Sequence, residues 1–186
     1  YVFQRTPNFS LPARNGPMDP EQERVHKSRY AERRRLAYGT PFGVSGYPLP
    51  TKSALQETPE ERARNYERKW QEGGTVGMLT SYPDLLVNKE ANETAAEFVR
   101  EKIRGIVRDP AVAELLGPRD HPIGSKRLCL DTGYYETYNR DNVTLVDVRS
   151  TPIEEITSKG VRTTASEYEV DAIVFATGFD AMTGAL

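Results

Sequence analysis

The chain has 186 residues, enough for one domain with a substantial core or for parts of two. Apolar residues make up 37%, charged residues 28%, and the net charge is −2 with a mean hydropathy of −0.64. This is the composition of a globular protein, without the basic excess of a general nucleic-acid binder. No apolar run is long enough to cross a bilayer, and the single cysteine, Cys129, excludes an intramolecular disulfide and any multi-cysteine zinc site. The first residue is Tyr1, in a β-like run, and no signal-peptide pattern is visible. The sequence reads as an internal segment of a larger protein, with a reducing cytoplasm as the expected compartment.

Tyr1-Val2-Phe3 reads as a short strand, closed by Pro7, and loop material follows through Pro12, Asn15, Gly16 and Pro17. Asp19-Pro20-Glu21-Gln22 is a helix start: the Asp accepts orphan N–H groups and Pro fits the first helical position. The pattern predicts one helix to Tyr38, then a loop with Pro41, Gly43, Gly46, Pro48 and Pro50. Thr58-Pro59-Glu60-Glu61 repeats the start signal, with Ala63, Tyr66 and Trp70 on one face and Gly73-Gly74 as the stop. Asn88 opens a third helix, with Ala91, Ala95, Phe98, Val99, Ile103 and Ile106 as its apolar stripe. Asp109-Pro110 starts a fourth, stopped at Gly117-Pro118.

From about Gly124 the period turns toward two. Strands are expected at 128–130, 143–148, 153–156, 161–164 and 168–176. Ile173 to Ala176 is continuously apolar, as in a strand covered on both faces and sharing a sheet with Tyr1 to Arg5. The fold class this gives is α/β, with helices inserted between the first strand and the later ones. Cys129 is expected to be a small buried residue.

Three short motifs bear on function, and each has a plain structural reading beside it. Phe3-Gln4-Arg5-Thr6-Pro7 ends a strand in Arg-Thr. In a dinucleotide fold that strand end faces the adenosine ribose, where an acid suits the 2′-hydroxyl of NAD and an Arg the 2′-phosphate of NADP. Alone, Arg5 is as well explained as a strand-end surface charge. Lys126-Arg127 sits at a strand entry, where the pair serves either an anionic ligand on two faces or a solvated rim. Ile173 to Gly178 is a buried-type strand ending in small residues, which suits a close ligand or a simple tight turn. Arg33-Arg34-Arg35 is embedded among Glu21, Glu23 and Glu32 and reads as a solvated face. His26 and His121 lack metal-ligand spacing, and the Asn-X-Ser/Thr triplets at Asn8, Asn92 and Asn142 are read as chance. Tyr134-Tyr135-Glu136 reads as aromatic packing.

Taken in order, Val2 to Asn8, Trp70-Gln71-Glu72-Gly73-Gly74, Lys126-Arg127, Tyr134 to Arg140 and Val174 to Asp180 resemble the type I Baeyer–Villiger monooxygenases along essentially the whole chain. The resemblance implies a partial Rossmann-like NADP-binding domain with an inserted helical domain. Residues 1–17 would hold its first visible strand, 18–123 the helical insertion, and 124–186 the remainder with the return toward an FAD domain. It implies FAD and NADPH as cofactors, and a small-molecule ketone and O2 as substrates. The product would be an ester or lactone. By resemblance, Arg5, Thr6 and Lys126 bind NADPH around its 2′-phosphate, and Arg127 is catalytic. Ala176, Thr177 and Gly178 match the motif that closes the NADP domain. No Gly-X-Gly-X-X-Gly occurs anywhere in the chain, although the family carries one for each dinucleotide, so much of the flavin site is expected outside this segment. Two other readings compete: a flavin monooxygenase oxidising nitrogen or sulfur nucleophiles, and a non-catalytic helical interaction module built on Asp19 to Gly117.

Overall fold

A computed structural model describes residues 1–40, 43 and 50–178. Most of the loop expected after Tyr38, and Phe179-Asp180 of the last motif, lie outside the described residues. The chain is mixed helix and strand, of α/β class. Its contacts divide it into two compact units: Tyr1–Thr6 together with Thr144–Leu186, and Pro7–Val143. A strand just after Pro7 pairs with one in the 124–143 stretch, which puts both in the second unit. Among the described residues no helix is long and apolar enough to cross a membrane.

In the first unit, β1 (Val2–Gln4) pairs in parallel with β4 (Leu145–Asp147), with Val2 opposite Leu145 and Gln4 opposite Asp147. β5 (Ile153–Ile156), β6 (Gly160–Thr163) and β7 (Glu167–Glu169) form an antiparallel meander. The rings of Tyr1 and Phe3 meet the Tyr168 ring edge-on, at centroid distances of 5.0 and 5.2 Å. Ile173–Ala176 corrects an expectation. It forms no strand, and Val174 and Phe175 are 89% and 72% exposed. A strand exists through its neighbours' hydrogen bonds, and among the described residues none pairs with this run. The sheet partner of β1 is β4 instead.

The second unit is built on helices. β2 (Ser10–Pro12) pairs in parallel with β3 (Cys129–Asp131). Between them come α1 (Pro20–Ser28), α2 (Tyr30–Tyr38), α3 (Pro59–Glu72), α4 (Thr75–Leu79), α5 (Lys89–Ile106) and α6 (Pro110–Leu116), and after β3 the short α7 (Tyr134–Thr137). The single helix expected over 20–38 is two. Ser28 Oγ bonds back to the Val25 carbonyl at 2.9 Å, and Arg29 leaves helical geometry at ψ 15°. A hydroxyl that competes for backbone acceptors weakens the helix at that turn.

The core lies between α3 and α5. Ala91, Ala95, Val99 and Ile103 are buried along α5, and Tyr66 and Trp70 along α3. Each large side chain buried there contributes about 1.5–3 kcal/mol. Ala63 is exposed rather than part of this face, and Phe98 and Ile106 are half-buried. Tyr66 and Phe98 rings are 5.5 Å apart, and the Tyr66 hydroxyl meets Thr94 Oγ1 at 2.7 Å. Burial pushes the Tyr66 phenol up to about 12.

Candidate functional site

The C-terminal edge of the parallel pair β1–β4 carries the first group of predicted site residues. In open parallel sheets ligands bind outside the carboxyl ends of strands. Arg5 and Thr6 leave β1 at that edge, Arg5 exposed and Thr6 half-buried. The pairing continues beyond the strands, since Val148 N–H donates to the Gln4 carbonyl at 3.0 Å. Arg149 Nη2 donates to Thr6 Oγ1 at 3.3 Å. Asp147, opposite Gln4, accepts from Arg149 N–H at 3.0 Å and Ser150 Oγ at 2.9 Å. Those hydrogen bonds, the Arg149 N–H foremost, hold its carboxyl below the usual carboxylate range.

Lys126 and Arg127 lie in the second unit, on the loop entering β3, and both are exposed. Among the described residues neither has an ion-pair partner. Their backbone is anchored. Asn8 Nδ2 donates to the Arg127 carbonyl at 3.0 Å, and Cys129 N–H donates to the Phe9 carbonyl at 3.2 Å. Asn8 Oδ1 in turn faces His121 Nε2 at 3.3 Å, while His121 Nδ1 faces Asp120 at 2.7 Å. Upstream, buried Asn92 donates through Nδ2 to the carbonyls of Leu85 and Ile123, both at 2.8 Å, and accepts from Ile123 N–H at 3.0 Å. Gly124 turns the loop at φ +87°. Leu128 is buried, so the loop is pinned just past its two cations.

Cys129 corrects a second expectation: it is exposed, and its Sγ accepts from Asn8 Nδ2 at 3.5 Å. Its neighbour Leu128 takes the buried position instead. Ala176, Thr177 and Gly178 are exposed and outside any strand, with Gly178 at φ +84°.

The structure therefore brings together Arg5, Thr6 and, unforeseen, Arg149 at one strand edge, and Lys126 with Arg127 on one anchored loop. Sequence reasoning missed Asn8, Asn92 and Arg149. Asn8 and Asn92 carried only a glycosylation-like signal. Arg149 stands just past a strand end, as Arg5 does, and that was the available clue.

No protein-family model matches the chain. It is 45% identical over 186 residues to 2-oxo-Δ3-4,5,5-trimethylcyclopentenylacetyl-CoA monooxygenase of Pseudomonas putida, covering 100% of this chain and 34% of that protein. It is 41% identical over 191 residues to a Baeyer–Villiger monooxygenase of Pseudooceanicola batsensis, covering 98% and 33%. Among solved structures, an oxidised steroid monooxygenase bound to NADP superposes with a TM-score of 0.91 at 53% identity, covering 98% of this chain and 34% of that one. The chain thus spans about a third of the length of the relatives it matches. The relatives include Baeyer–Villiger monooxygenases, and the chain is homologous to a segment of them.

Proposed function

We propose, for a chain whose relatives along nearly its whole length include Baeyer–Villiger monooxygenases, that it is a segment of an NADPH- and O2-dependent flavoenzyme. The reaction inserts oxygen next to a ketone carbonyl and yields an ester or lactone. The observation that carries the reading is the anchored loop presenting Lys126 and Arg127, in a chain that also ends β1 in Arg5-Thr6. The pair β1–β4 belongs to part of a Rossmann-like NADP-binding domain. The helices between residues 18 and 123 are an insertion in it, since the two paired strands flank them in sequence.

The strand edge suits a phosphate ester. Arg5 offers a planar fork of donors and Thr6 a hydroxyl, both accessible from solvent. Lys126, exposed on its loop, offers a point charge for NADPH. Bound NADPH would supply the hydride, and FAD, held by the rest of the enzyme, would pass the electrons to O2. Arg127 supplies a fixed cation for negative charge that develops at the reacting oxygen, which is worth more in a water-poor site than in solution. Ala176 to Gly178 close the NADP-binding domain.

The test is ketone-dependent NADPH oxidation by the full-length enzyme under labelled O2. Ester or lactone carrying one labelled oxygen atom is expected. NADPH oxidation without ester, or an N-oxide or sulfoxide as the sole product, overturns the reading.

A further inference from the structure

We infer that His121 is a positioning residue for Arg127, acting through the side-chain amide of Asn8. Its consequence for turnover rests on the proposed role of Arg127 at the reacting oxygen. The anchor itself stands on geometry alone.

Three observations carry it. The first is burial. The His121 side chain is 8% exposed, and its ring meets the fully buried Phe9 ring edge-on at 5.5 Å. The second is the orientation of the amide. Phe9 N–H donates to Asn8 Oδ1 at 3.0 Å, and Asn8 Nδ2 donates to the Arg127 carbonyl at 3.0 Å. Exchanging the amide's oxygen and nitrogen would set two acceptors together at Arg127 and two donors together at Phe9. Oδ1 is therefore the atom that faces His121 Nε2, at 3.3 Å. An amide oxygen has no hydrogen to give, so this bond needs a proton on Nε2. Asp120 Oδ1, 2.7 Å from Nδ1, fixes the rotation of the ring. With both contacts made, each ring nitrogen carries a proton. The third is placement. His121 stands at one end of the loop and Arg127 at the other, so both ends close on one amide.

The Arg127 side chain is exposed, and its position depends on the backbone that carries it. Without the Nε2 donor, Asn8 Oδ1 keeps only the bond from the neighbouring Phe9 N–H, and the amide is held less firmly against the Arg127 carbonyl.

The experiment compares His121→Asn and His121→Gln in the full-length enzyme. Both lose the ring contact with Phe9. Asparagine places its amide nitrogen near the position of Nδ1 and glutamine near that of Nε2, so glutamine alone still donates to Asn8. Hydrogen exchange of the 121–128 backbone amides, without NADPH or ketone, is expected to be about three- to tenfold faster in His121→Asn than in His121→Gln, the range of one lost hydrogen bond. The share of oxidised NADPH that ends in ester or lactone should fall by a similar factor, with KM for NADPH within about twofold. Asn8→Asp keeps the oxygen that faces His121 but loses the donor to the Arg127 carbonyl, and its exchange should match that of His121→Asn. Equal exchange in the two His121 variants, or wild-type exchange in Asn8→Asp, overturns the anchor. Faster exchange in His121→Asn with an unchanged product share overturns the positioning of Arg127. If wild type forms no ester or lactone from ketones, the proposed function fails, while the exchange comparison still decides the anchor.

Discussion

Replacing Asn92 by Ala removes the tie between the core helix and the loop that carries Lys126 and Arg127. Asn92 is 5% exposed, on α5, and makes three hydrogen bonds to backbone groups of Leu85 and Ile123. Alanine leaves two carbonyls and one N–H without that partner inside the unit. Each stranded group costs roughly 1–3 kcal/mol, and partial hydration of the space lowers the sum, so the expected loss is about 3–5 kcal/mol. Trp70 reports on it. It is the single tryptophan, is 6% exposed and lies on α3, which packs against α5. In urea, with a slope of about 1–3 kcal/mol per molar, the midpoint should fall by about 2 M at unchanged slope. Asn65→Ala is the control. Its Nδ2 donates to the Ser81 carbonyl at 3.3 Å, its Oδ1 accepts from Arg68 at 2.7 Å on the exposed side, and it is half-buried, so its loss should stay near about 1 kcal/mol. Asn92→Asp keeps the acceptor for Ile123 N–H but points a carboxylate at two carbonyls, and should fare no better than alanine at pH 7. The reasoning fails if Asn92→Ala shifts the midpoint no further than Asn65→Ala does.

Gly124→Ala should destabilise the same loop by about 1–2 kcal/mol, since an alanine at φ +87° is strained and its Cβ would stand 2.8 Å from Leu79 Cδ2; the urea midpoint measures this. Acid should loosen the α5–α6 surface. Glu114 is held below the usual carboxylate range by hydrogen bonds from Arg104 and Arg119. For Glu97, burial raises the carboxyl, but bonds from Arg104 and Arg100 outweigh it and the net shift is downward. Depressed carboxyl values give stability that is present above the ordinary glutamate range and lost as pH falls through the folded value. The melting temperature should therefore drop less between pH 7 and pH 3 in Glu114→Gln than in wild type. In the full-length enzyme, Arg127→Ala should still let NADPH reduce the flavin but abolish ester formation, and Arg127→Lys should restore only part; stopped-flow spectra with product analysis separate the two steps.

The helix starts were legible because capping is local chemistry. Asp19, Thr58, Asn88 and Asp109 all accept N–H groups of the turn that follows them, and Thr58 with Glu61 closes a reciprocal capping box. The stripe on α5 was legible for the same reason: its period is carried in the sequence of one helix. β2 was not legible. Ser10–Pro12 is three residues long and contains proline, and it is a strand only because Cys129–Asp131 lies beside it. That partner comes more than a hundred residues later, and no local pattern reports it. The error at Ile173–Ala176 has the same origin with the opposite sign: an apolar run signals a capacity for burial, and the neighbours decide whether it is used. Arg5 and Thr6 could be picked out as a strand-end motif, whereas Arg149 needed the parallel register that sets it level with Thr6.

The loop bearing Lys126 and Arg127 divides its backbone from its side chains. Its backbone is held upstream through Ile123 by Asn92, within the turn by Ser125 N–H and Oγ on the Pro122 carbonyl, and downstream by Asn8 on the Arg127 carbonyl. The two side chains stand in solvent. Ordering a residue's backbone costs roughly 1–2 kcal/mol, and immobilising a long cationic side chain costs up to about 2 kcal/mol more. Here the backbone part is met by folding, and only the side-chain part is left for an anion to meet. Lys126 lies in the bend and Arg127 in the run that enters β3, so one anchored backbone can present the two cations to different partners. Weakening the anchor at Asn92 or Gly124 would therefore return backbone entropy to both cations at once. Removing one cation would affect only the partner that it faces. This places buried Asn92 in the account of the two exposed cations although it cannot itself reach what they bind.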